Sequence, residues 1–133
     1  MQKIIFPLLA MLMLATNANA QQTDTYPVIV SFNSMCCGVP SNAPVIKLVK
    51  AFKKQYKIKQ VAVDSIGPMG KEGEYYLAFR LKEFSKAQKV KFIQQLKKTA
   101  ATMKDNGLAE IKENETVDKS SLSSRTTVTL IRL

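Results

Sequence analysis

No histidine occurs anywhere in this 133-residue sequence. That removes the commonest general base near neutral pH and the imidazole metal ligand, and with them Ser-His-Asp and Cys-His catalysis and the usual catalytic zinc sites. Acidic side chains are scarce: 10 Asp and Glu stand against 20 Lys and Arg, a net charge of +10. Glu72, Glu74, Glu110, Glu113 and Glu115 are spread over expected turns and strand faces, so no pair of carboxylates is marked out for acid–base work. A domain this small also rarely supplies the cleft a glycosidase needs. No catalytic constellation is recognisable, and the expectation is a protein that is not an enzyme.

Long apolar runs are missing as well. The run Ile4–Ala15 is too short for a spanning helix, which takes roughly 20 residues. It follows Lys3 and precedes Ala18-Asn19-Ala20, the order of a cleavable export signal. Residues 1–20 are therefore expected to be a signal peptide, 21–25 a flexible N-terminus and 26–133 a single domain. Position 21 is Gln rather than Cys, which excludes lipid attachment there. The expected product is periplasmic or extracellular, without a transmembrane segment. Lys3 is the only charged residue of the signal, so the exported domain stays strongly basic. Its candidate partners are an anionic envelope component or an acidic protein, while export disfavours nucleic acid. Charge that merely keeps the protein soluble is the plainer reading.

Val28, Val30 and Phe32 alternate with Ile29 and Ser31, which predicts a strand over Tyr26–Asn33. Val45, Leu48, Val49, Phe52 and Tyr56 then recur at three and four, with lysines on the other faces, as in an amphipathic helix capped by Ser41 or Asn42 with Pro44 in its first turn. Gln60–Ile66 and Glu74–Leu81 read as two strands flanking a turn, Gly67–Gly73, that does not match a phosphate-binding loop. Ser85-Lys86-Ala87-Gln88 matches a capping box, and the helix it opens is expected to run to about Asp105 with Gly107 as its stop. Ala109–Val117 and Arg125–Leu133 complete the order β-α-β-β-α-β plus a terminal strand. The expected class is α+β, a ferredoxin-like sandwich with two helices on one face of an antiparallel sheet. Asn114-Glu115-Thr116 fits a glycosylation pattern that matters only in a host using it. The second helix holds six lysines' worth of basic character without an acid, but the aromatic signature of an RNA-binding sheet is absent.

The two cysteines are adjacent, Cys36 and Cys37, in the loop after the first strand. A disulfide normally joins α-carbons about 4.4 to 6.8 Å apart, whereas neighbours lie about 3.8 Å apart across a trans peptide. Closing the pair braces almost no chain. Four readings stay open: a labile redox disulfide, a soft-metal site of thiolates, a bond to another molecule, or two small buried apolar residues. Met35 adds a thioether beside the pair, and thiolate with thioether favours Cu(I) or another soft ion. Met69 at the turn is a conceivable further sulfur.

The stretch Val30–Val49, with Met35, Cys36 and Cys37 in the loop after strand one, resembles the heavy-metal-associated domain. Members of that family share the βαββαβ order and hold Cu(I) or similar ions through Met-x-Cys-x-x-Cys. The resemblance implies a metal site at Met35, Cys36 and Cys37. Here Cys-Cys stands where the family has Cys-x-x-Cys, and this chain is longer than that domain.

Overall fold

Alternation and helical periodicity build the elements close to where the apolar pattern places them. A computed structural model describes residues 22–133, and the expected signal peptide lies outside the described residues. β1 spans Thr23–Ser34, α1 Ala43–Tyr56, β2 Ala62–Gly67, β3 Tyr75–Phe79, α2 Lys86–Ala101, β4 Gly107–Asp118 and β5 Thr127–Arg132, with a short 3₁₀ turn at Lys119–Ser121. The strands form one sheet in the order β4-β1-β3-β2-β5, every neighbouring pair antiparallel. The class is α+β, with two helices and a five-stranded antiparallel sheet.

Even-numbered Val28, Val30 and Phe32 of β1 meet Leu77 and Phe79 of β3, Val63 of β2, and Val45, Val49, Phe52, Phe92 and Leu96 of the two helices in the main core. Both helices therefore cover the same sheet face. Phe92 is an aromatic hub, with ring centroids 5.1 Å from Phe52, 5.4 Å from Phe79 and 5.2 Å from Phe84. Truncating such a ring typically costs about 3–5 kcal/mol. Tyr26, Ile29, Ile66, Ala78 and Val117 form a second, smaller cluster without a helical residue, on the opposite face.

Three local expectations change. β1 begins at Thr23 rather than Tyr26, because Thr23–Thr25 continue the ladder opposite Asp118–Thr116, so these residues are not a flexible lead-in. α2 stops at Ala101, short of Asp105. Its stop is also not Gly107, since the left-handed residue before β4 is Asn106, φ 60°. Gly107 is needed for another reason: a Cβ there would collide with the carbonyl of Asn33 on β1. At the start of α1 the cap position is Asn42 but its side chain makes no capping bond.

Register fixes which loops share an end. Phe32 lies opposite Tyr75 and Ser34 opposite Gly107, so the β1–α1 loop, the β2–β3 turn and the α2–β4 turn crowd one end of the sheet. β4 finishes at the other end, and β5 starts back at the first end on the far edge, Thr127 opposite Gly67. Residues 119–126 must therefore cross the helix-free face diagonally. Lys119 N–H donates to Gln22 O at 2.9 Å, Leu122 packs on the second cluster, and Thr126 Oγ1 donates to Pro68 O at 2.7 Å. Among the described residues no helix is long and apolar enough to cross a membrane.

Candidate functional site

The β1–α1 loop is held at both ends while its middle projects. At the entry, Met35 N–H donates to Asn106 O at 3.2 Å, tying the loop to the α2–β4 turn. At the exit, Val39 packs against the main core and Pro40 is buried. Between them Gly38 takes φ 119°, a left-handed conformation that a side chain resists, and its N–H donates to Ser34 Oγ at 3.4 Å. This tight return leaves Met35, Cys36 and Cys37 outside: Met35 is 71% exposed, and both cysteines are exposed.

Cys36 and Cys37 are joined as a disulfide between neighbouring residues, Cα to Cα 3.8 Å. The reading of the pair as small buried apolar residues is overturned, because neither side chain enters the core: the loop's core contact comes from Val39. The bond closes almost no chain, so it contributes little by restricting the unfolded state. Both cysteines are exposed residues of the loop.

The α1 N-terminus follows, with no acid in its first turn, and Ser41 Oγ accepts from Ala43 N–H at 3.2 Å. Tyr75 lies beneath, stacked on Phe32 with centroids 4.5 Å apart. Burial raises its phenol pKa from the ordinary 10, against the opposing Asn42 hydrogen bond. Met69 sits on the β2–β3 turn at this same end of the sheet and is 37% exposed. Among the described residues no group of three or more His, Cys, Asp or Glu side chains converges for a metal. Met35, Cys36 and Cys37 are three consecutive exposed sulfur-bearing residues.

A second polar constellation, on the helix-free face, has only a faint signal in the sequence: one Asp inside the apolar run Val61–Ile66. Asp64 is 2% exposed. Its Oδ2 accepts from Tyr26 Oη and from Arg80 Nη2, each at 2.5 Å, and Lys119 Nζ lies 3.9 Å away. Lys119 also pairs with Asp24 at 2.6 Å, and Arg80 with Asp24 at 3.6 Å. The Lys119 hydrogen bond holds the Asp24 carboxyl below its ordinary value. Burial and the Asp64 hydrogen bond push the Tyr26 phenol well above 10, while Asp64 raises the Arg80 guanidinium further. Tyr26, Arg80, Lys119 and the two aspartates are each paired within the network, although Arg80 Nε is buried without a partner, and the Lys119 contacts fasten the diagonal crossing to the sheet. Comparison with family models, curated proteins and solved structures finds no match for the chain.

Proposed function

We propose that this chain is an exported, non-enzymatic binding domain of ferredoxin-like βαββαβ architecture with an added terminal strand, acting through a reversible thiol–disulfide couple at Cys36 and Cys37. The observation that carries the reading is the exposure of both cysteines in a loop anchored on either side. A bond that braces nothing and faces solvent is placed for exchange, not for stability.

The exchange balances with an external dithiol as reductant. Its thiolate attacks one sulfur of the pair and forms a mixed disulfide, releasing the other cysteine as thiolate. The second thiol of the reductant then displaces the remaining cysteine and closes the reductant's own disulfide. Two electrons and two protons have moved to the pair. In that reduced state Cys36 and Cys37 thiolates with the Met35 thioether suit Cu(I) or another soft ion; the 71% exposure of Met35 favours this further step.

Intact mass after alkylation tests the couple. The expected result is no adduct before treatment with dithiothreitol and two adducts after it. Adducts without reduction, or none after it, overturn the proposal. Titration of reduced protein with Cu(I), beside a Cys36→Ser/Cys37→Ser double variant, tests the metal step separately: binding confined to the native pair is expected, and equal binding by both proteins overturns it.

A further inference from the structure

None of the chain's ten acidic residues falls in either helix. Along α1, Lys47, Lys50 and Lys54 are exposed at spacings that place them on one ridge, opposite the buried Val45, Val49 and Phe52. Along α2, Lys91 and Lys98 are exposed on the side away from Phe92, Leu96 and Ala100, and Lys86 is exposed at the helix start. Of the helix lysines, Lys97 has a carboxylate partner among the described residues, Glu113 of β4. The two helices thus carry nine of the nineteen basic residues among the described ones and none of the acids.

This arrangement works against the helices that carry it. Lys47 and Lys50, and Lys50 and Lys54, are like charges one turn apart, which repel on a helix surface. Neither helix has an acid in its first turn, and Lys86 opens α2, where the helix dipole disfavours a cation. A surface serving solubility alone mixes both signs. A broad anionic partner relieves all of these repulsions together.

We infer that the outer face of the helix layer docks on the anionic headgroups of a lipid bilayer. The inference is independent of the cysteine couple. Three features select a headgroup array over a single bound polyanion. The charges are lysines, with Arg80, Arg125 and Arg132 all outside the helices; ammonium groups act as point charges and lack the fork that fixes one phosphate. They are spread along two neighbouring helices on one side of a sheet, a broad face suited to many separate anions. Val90, 56% exposed on α2 among these lysines, adds an apolar contact at the depth where headgroups meet acyl chains.

The test is co-sedimentation of protein, purified after expression of the full chain, with phosphatidylcholine vesicles containing or lacking phosphatidylglycerol at low and physiological salt. Binding to the anionic vesicles alone is expected, weakened by salt. A Lys47→Gln/Lys50→Gln/Lys54→Gln variant should lose about 100-fold in affinity, three lysines' worth at a bilayer surface. A Lys71→Gln/Lys112→Gln/Arg125→Gln variant removes the same formal charge away from the helices and should lose less than about 5-fold. Equal losses, or no preference for anionic vesicles, overturn the inference, as does tighter binding to a soluble acidic polysaccharide than to vesicles. Should either variant unfold by circular dichroism, lysine acylation of the native protein decides: vesicles must protect Lys50 and Lys98 and leave Lys71 reactive.

Discussion

Asp64 is the residue whose placement departs most from its chemistry, a carboxylate 2% exposed in the middle of a strand. An ion buried this deeply needs hydrogen bonds and a balancing charge; Tyr26 and Arg80 both donate to Oδ2 at 2.5 Å, and Arg80 supplies the opposite charge. Its neighbours then acquire opposite dependences on pH. Asp24 has a folded pKa lowered by its bond to Lys119, so its contribution is complete above the unfolded value, 3.8, and is lost as pH falls through the folded one. Tyr26 has a folded pKa raised by burial and by Asp64, so its contribution is complete below 10 and is lost as pH rises through the folded one. Urea midpoints measured across pH should therefore decline at both extremes. In a Lys119→Met variant the acid decline should be shallower, and in Tyr26→Phe the alkaline decline should be. An unchanged acid limb in Lys119→Met means that other carboxylates set it. Reading Gln60–Ile66 as a strand passed over Asp64, whose partners come from positions 24, 26, 80 and 119, which only the register of three strands and one crossing brings together.

Single elements were legible where the pattern is local. The capping box is an example: Ser85 Oγ accepts from Gln88 N–H at 3.2 Å, and Gln88 Oε1 accepts from Ser85 N–H at 2.8 Å. The loop holding Cys36 and Cys37 was legible as a loop, and neighbouring α-carbons already excluded a conventional brace. Its exposure was not, because that depends on Asn106 and Gly107 arriving beside β1 from the far end of α2. Least visible was the crossing at 119–126, a polar stretch of serines with no periodicity. The structure shows it tied down at Lys119, Leu122 and Thr126. Lys119→Met should cost about 0.5–1 kcal/mol, as for a partly exposed ion pair. It should also speed amide exchange within 119–126 while leaving β1 and β3 protected. Uniform acceleration across the sheet would mean that the crossing is part of the global folding unit.

At the scale of the whole molecule, the two faces of the sheet have different dependence on the last strand. The main core draws on β1, β2, β3 and both helices, and the second cluster on the first four strands and Leu122. β5 adds no fully buried residue to either: Thr127–Leu130 are exposed, and only Leu133 just beyond packs partly against the main core. What β5 does supply is a hydrogen-bonded neighbour for β2 along Ala62–Gly67, extended by the mutual Val61 and Leu133 bonds at 2.9 and 3.0 Å. Without it, β2 becomes a bare edge carrying Val63 and Ile66, a template for pairing with other chains. A chain ending at Ser124, which keeps Lys119 and Leu122, should therefore retain its helical circular dichroism and unfold cooperatively, yet self-associate during size-exclusion chromatography as concentration rises. Lys substituted for Ser65, whose backbone faces Thr129 in the intact sheet, should restore the monomer by placing a charge on the uncovered strand. Loss of the helical signal on truncation would instead show that pairing with β5 is required for the main core to form, and that the terminal strand is integral to the fold.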